Sequence, residues 1–229
     1  LQSVGALRPL QGLRTLGGGR TLIHGDIFTS GDQVLADDVR TFGPITFNAR
    51  ALAPGGSVLF LRNLLLDGDA TIISTDAIFA GGVDSFDPLA PASLTVNAVG
   101  TTDFSAGLGT TSALLNVRTD GPGTTVLAGD LFLTPDGRLE IGDNVLLGAT
   151  PTIHASNAFF AGDVDSQVFD GTLRFVGTQS LAILGDVGSV GALIDLDLTS
   201  IADLQLGGDV RTIGQQRYDR VRLVGTGRE

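Results

Sequence analysis

One short landmark occurs three times in this chain at a constant internal spacing, and nothing else in the 229 residues restricts the fold as strongly. The first copy reads Val4-Gly5-Ala6-Leu7-Arg8-Pro9-Leu10, the second Leu108-Gly109-Thr110-Thr111-Ser112-Ala113-Leu114, the third Val187-Gly188-Ser189-Val190-Gly191-Ala192-Leu193. Each is followed by a Gly-Asp-aliphatic triplet: Gly25-Asp26-Ile27, Gly129-Asp130-Leu131 and Gly208-Asp209-Val210. The distance from landmark to triplet is 21 residues every time (25−4, 129−108, 208−187). A second landmark, Phe79-Ala80-Gly81-Gly82-Val83-Asp84-Ser85, recurs as Phe160-Ala161-Gly162-Asp163-Val164-Asp165-Ser166, 81 residues on (160−79). The copies therefore run over approximately 4–107, 108–186 and, in part, 187–229. The first copy is 104 residues long (108−4) against 79 for the second (187−108), which places an insertion within about 42–70. One solenoid coil, commonly about 20–30 residues, would account for it.

Inside the copies the pattern is short strand, Gly or Asp turn, short strand. Alternation shows in Leu94-Thr95-Val96 and in Arg138-Leu139-Glu140-Ile141. Eight Gly-Asp dipeptides punctuate the chain, and no capped stripe of helical period survives the 33 glycines. Phe104, Leu127 and Leu146 fall near successive strand centres, about one coil apart. No linkers separate the copies. The expectation is an all-β chain, residues 1–229 forming one continuous single-stranded parallel β-helix of about ten coils. At about 4.8 Å per coil the rod is near 50 Å long.

The same residues resemble the long repeat arrays of filamentous-haemagglutinin-like bacterial adhesins. The resemblance rests on a Val-Gly…Leu stretch followed by a Gly-x-Val-x-Thr-x-Gly-x-Gln-x-Tyr-x-x-x-Val element. Here that element is Gly208-Asp209-Val210-Arg211-Thr212-Ile213-Gly214-Gln215-Gln216-Arg217-Tyr218, running on to Val221 and Leu223. Gly25-Asp26-Ile27-Phe28-Thr29-Ser30-Gly31-Asp32-Gln33 matches its start. Gly100-Thr101-Thr102-Asp103-Phe104 and Thr119-Asp120-Gly121-Pro122-Gly123-Thr124-Thr125 are similar to that family as well. In the middle copy Leu133-Thr134-Pro135-Asp136-Gly137 replaces the Thr-x-Gly-x-Gln element, so a different turn is expected there. The resemblance implies a right-handed β-helix, export by two-partner or autotransporter secretion, a place outside a Gram-negative-type cell, and an adhesive or structural task. The partners it implies are neighbouring repeats of the same parent chain, with host or cell-surface glycans or proteins beyond them.

Charge and composition restrict function further. The net charge is −11, all 14 basic residues are Arg, and 25 residues are acidic. Phosphate backbones and anionic lipid surfaces both call for clustered positive charge, so neither nucleic acid nor a membrane surface is an expected partner. The apolar stretch around 58–66 is interrupted by Arg62 and Asn63 and is far short of the roughly 20 residues a membrane helix needs. With no Cys, disulfides and thiolate metal sites are excluded. The chain reads as an internal segment of a larger protein.

β-Helices also carry enzymes acting on acidic polysaccharides, so convergent carboxylates need weighing. The weak candidates for a metal or an acid/base pair are Asp84, Asp163 and Asp165, with Asp67 and Asp69 behind them. Asp163 and Asp165 alternate, which puts both on one face of a strand. Against this, Asp84 and Asp165 occupy equivalent repeat positions beside turns, as structural residues do. His24 and His154 occupy unrelated positions and lack triad company. Gly17-Gly18-Gly19 has no Lys-Ser/Thr after it and is no phosphate loop. Arg211, Arg217, Arg220 and Arg222, with Tyr218, form the one basic concentration and the best surface contact. Absence of Trp and a single Tyr speak against a strong lectin site. The 12 Phe, among them Phe79 and Phe160, are expected to stack inside. No catalytic residue and no cofactor is expected.

Overall fold

Successive apolar positions in this chain pair with residues roughly one coil away rather than with their sequence neighbours. In the computed structural model, which describes residues 3–53, 55–167, 171–199 and 201–224, every strand pairing is parallel. The described residues contain no helix. The strands close into a right-handed β-solenoid of nine to ten turns.

Three columns of inward side chains define three faces. On face one Val4, Ile27, Phe47, Ile72, Val96, Thr119, Ile141, Phe160, Ile183, Leu206 and Leu223 stack in register. Face two stacks Leu13, Gln33, Val58, Ala77, Thr102, Thr125, Val145, Val164, Val187 and Val210. Face three begins Thr21, Val39, Leu64, Val83, Leu108, Leu131, Ile153 and Phe175. The ten steps of face one cover 219 residues (223−4), about 22 per coil.

Alternation is what lets each face fill the core. Leu94–Ala98 buries Leu94, Val96 and Ala98 and leaves Thr95 and Asn97 half-exposed. Leu64–Leu66 and Ala77–Phe79 do the same with three residues each. Phe47, Phe60, Phe79 and Phe104 form a continuous internal file, with ring centroids 5.2, 5.3 and 5.1 Å apart. Phe160 packs edge-on against Phe175 at 5.9 Å. On the face-two column Leu127 stacks between Phe104 and Leu147, not Leu146. Leu146 is one residue out of phase and turns to the outside, half-exposed, because Val145 and Leu147 take the inward positions.

The pairings also show what the landmark is. Val4 lies beneath Ile27, Leu108 beneath Leu131, and Val187 beneath Val210. The constant spacing, 21 residues to the Gly of the triplet and 23 to its paired aliphatic (27−4, 131−108, 210−187), is thus one coil, and the Gly-Asp-aliphatic triplet is the storey directly above. Yet Val4 belongs to face one, Leu108 to face three and Val187 to face two. From Leu108 to Val187 the chain makes three coils and passes on by two faces. That explains a 79-residue offset with a 22-residue coil. From Val4 to Leu108 it makes one coil more. The second landmark shifts likewise, since Phe79 is on face two and Phe160 on face one.

Candidate functional site

Each candidate carboxylate follows a buried aliphatic or closes a corner, so its side chain emerges where the next coil turns. Asp84 Oδ1 accepts the backbone N–H groups of Thr111 (2.8 Å) and Ser112 (3.1 Å). Asp165 Oδ1 accepts those of Val190 (2.8 Å) and Gly191 (3.0 Å). In both cases the loop held is the one after the Val-Gly or Leu-Gly landmark on the coil above. The neighbouring bonds repeat too: Gly109 N–H donates to Val83 O (2.7 Å) and Gly188 N–H to Val164 O (2.8 Å). A third storey follows, with Phe132 N–H on Leu108 O and Arg211 N–H on Val187 O, both 2.8 Å. The recurring unit is therefore a stack of three storeys on one face.

Asp163 Oδ1 accepts the N–H of Asp186 (2.8 Å), and Asp186 Oδ1 accepts that of Asp209 (2.8 Å). Asp163 in turn donates its N–H to Asn144 Oδ1 (3.0 Å). This is a corner ladder running up the edge of the rod. Asp69 Oδ1 takes the Ser93 N–H at 2.8 Å. Asp67 is paired with Arg40 at 3.1 Å. The alternation of Asp163 and Asp165 does place both outside Val164, but they reach different backbone segments and share no bond. Among the described residues, no three His, Asp or Glu side chains are grouped to hold a metal ion.

The arginines adjacent in sequence are distributed around the last coil. Arg211 follows the face-two position Val210, Arg217 stands beside Asp197 on face three, and Arg222 pairs with Gln205 on face one. All of them, with Arg220, are exposed. Tyr218 is half-buried, and its hydroxyl donates to Gln216 Oε1 at 3.0 Å. Burial pushes that phenol above its ordinary range. The structure supports a basic rim here, not one converging patch.

Three features lie outside what sequence spacing reveals. His24 stacks on Phe42 at 4.1 Å and His154 on Phe132 at 4.4 Å, each on the outside of the wall. The Arg40 guanidinium lies 4.4 Å from the Phe42 ring and 3.3 Å from the Phe86 ring. From the coil of Phe42 it reaches past the next coil, where it pairs with Asp67, to Phe86 on the coil after, and so clamps three coils together. On face one a shallow trough crosses the rod where Ser180 and Ala182 are short, walled by Arg138, Asn157 and Phe159 on one side and Asp203 and Gln205 on the other. Only the coil register, known from pairing, brings such residues side by side.

The middle copy departs from the others as its turn sequence implies. Leu131–Ile141 is one extended strand of 11 residues, with Pro135 and Asp136 exposed. The longest interval between successive strands, 184–195, is itself tied into the wall through Val187 and Leu193. Among the described residues no long loops gather over one face. Compared with models of protein families, with curated proteins and with solved structures, the chain matches none.

Proposed function

We propose that the chain is a structural or adhesive repeat segment of a large secreted or surface-displayed bacterial adhesin, acting as a rigid stalk without catalysis. The observation that carries this reading is the reuse of one three-storey unit on different faces. Its acidic residues are spent on holding backbone N–H groups of the next coil. A reactive constellation is built once, on one face, whereas a wall element can be built anywhere around the rod. The resemblance to filamentous-haemagglutinin-like repeats supports the same reading and suggests export to the outer surface. Neighbouring coils of the parent chain are the first partners, with host proteins or glycans beyond them.

The mechanical argument is short. Each coil pairs with the next through parallel backbone bonds and shares one continuous core, so the rod resists bending and gives proteases few loops. Its length sets the reach of whatever it carries. The test is to delete this segment in frame from the parent protein and image the filament by electron microscopy. A filament shorter by about 50 Å, with surface display retained, is the expected result. Loss of a polysaccharide-cleaving activity on deletion would sink the stalk reading in favour of a β-helix lyase or hydrolase.

A further inference from the structure

Among the described residues three carboxylates are buried: Asp37, Asp84 and Asp143. The first two are held by backbone N–H groups. Asp143 differs. Its Oδ1 accepts the hydroxyls of Thr119 and Thr125, each at 2.8 Å. Its Oδ2 is buried and has no hydrogen-bond partner. No Arg or His nitrogen stands within 4 Å of it among the described residues.

The contrast with its sequence equivalents is sharp. Of the eight Gly-Asp corners, those of Asp26, Asp32, Asp69, Asp130, Asp163 and Asp186 reach outward to take an N–H from the next coil. Asp143 turns inward, over the corner loop 120–123 of the coil below, and is 5% exposed. Two neutral hydroxyls do not balance a buried negative charge, and leaving one uncompensated is strongly unfavourable.

The surroundings are rich in oxygen. A Cβ added at Gly123 would lie 2.5 Å from Gly100 O, 3.1 Å from Ala98 O and 3.3 Å from Asp143 Oδ2, so these three atoms gather beside one point of the loop. Asp120 N–H serves Val96 O at 3.0 Å. Two residues on, where the ladder would next supply a donor to Ala98 O, stands Pro122, which has no N–H.

We propose that this corner binds a small hard cation, with Asp143 Oδ2 as its charged ligand. The carbonyl oxygens of Ala98 and Gly100 and the hydroxyls of Thr119 and Thr125 complete the surround. An all-oxygen donor set selects hard ions over soft ones. A single carboxylate balances one positive charge, so the charge count favours a monovalent ion of the size of Na⁺. The ion ties three successive coils together from within, those of Ala98, Thr119 and Asp143, and takes no part in the outer surface, so the site stands or falls independently of the stalk reading.

The test compares thermal unfolding in NaCl and in choline chloride at equal ionic strength, because choline is too large for the corner. The expected result is a midpoint roughly 2–4 °C higher in NaCl, and no such difference in Asp143→Asn. In the wild type, hydrogen exchange at 119–125 and 143 is slowed by Na⁺ and not by choline, a reading that survives even if the variant does not fold. Equal midpoints and equal exchange in the two salts overturn the site. A Na⁺ effect that persists undiminished in folded Asp143→Asn overturns it as well.

Discussion

The corner of Asp84 and the corner of Asp165 have nearly the same sequence and lie on different faces of the rod. Val83-Asp84-Ser85 sits on face three under the loop of Leu108, and Val164-Asp165-Ser166 on face two under the loop of Val187. Their hydrogen bonds correspond one for one, yet their environments do not. Asp84 is buried, whereas Asp165 is half-exposed. After Ser85 the chain folds back over the corner: Ala92 N–H donates to Ser85 Oγ at 3.0 Å, and Ser85 Oγ donates to Ala113 O at 2.8 Å. The lesson is that a third of a coil is the unit of design. It carries its own strand, corner and loop wherever it falls, while the exposure of its carboxylate differs from face to face.

The largest effect should come from the Phe that opens each unit. Phe79 lies within the four-ring internal file, and Phe160 meets only Phe175. Both are essentially fully buried. Truncating either to Ala removes a core ring, at about 3–5 kcal/mol. Phe79→Ala should lie at the upper end, because it breaks two ring contacts. Denaturant midpoints of the two variants check this. Equal losses would mean that the file adds nothing beyond burial.

Next come the glycines that start the loops. Gly109 has φ +67° and Gly188 φ +73°. An added Cβ would strike Phe132 O in one case and Arg211 O in the other. Ala at either site should cost about 1–3 kcal/mol or more, from left-handed strain plus the clash. Here the two corners should respond alike, since the obstacle is backbone in both. A loss at one site only, measured by urea unfolding, would break the equivalence.

The corners should part company when the carboxylates are removed. Asp84→Ala removes a buried carboxylate that holds two N–H groups and should cost about 1–3 kcal/mol. Asp165→Ala removes a half-exposed carboxylate, whose place water can take, and should cost less than about 1 kcal/mol. Reversal of that order in thermal or denaturant unfolding would show that burial is not what separates them.

How much of this is legible in the sequence follows from the same unit. The parallel solenoid, the burial of Phe79 and Phe160 and the structural use of Asp84 and Asp165 can all be read from short-range pattern, because each is decided within a third of a coil and its neighbour above, whereas Phe42, Phe86, Phe132 and Phe159 depart from an internal stack and turn outward. The face on which a unit lands cannot, because it depends on the running sum of every coil length before it. A coil can gain or lose a few residues at a corner without disturbing either neighbour. Leu146 does fall near a strand centre about one coil from Leu127, but the residue paired with Leu127 is Leu147, since the corner between Ile141 and Val145 is short. The Arg40 clamp and the Phe159 trough escape notice for the same cause: their members are neighbours only across coils. The arginines of the last coil show the converse, being close in sequence and spread around the rim.

The smallest effects ask whether such grips need a charge or only an acceptor. Asp37 is held below the ordinary carboxylate range first by the Gly19 N–H and then by the Thr21 and Thr15 hydroxyls, against the opposing push of burial. Asp197 is held low first by the Thr199 hydroxyl and then by the Thr199 N–H, with Arg217 and Arg174 adding to it. A carboxyl whose folded pKa is depressed stabilises the fold above its unfolded value of about 3.9, and that contribution is lost as pH falls through the folded value. Asp37→Asn and Asp197→Asn keep an acceptor and remove the charge. Each should therefore melt below the wild type at neutral pH, and each gap should narrow as pH falls below about 4. The Asp197 gap should also shrink in high salt, because two of its supports are exposed charges. The Asp37 gap should respond less, because its main supports are direct hydrogen bonds from Gly19 and Thr21 rather than separate charges. Melting curves across pH and salt decide the matter: gaps independent of pH would show that these corners use the oxygen and not the charge.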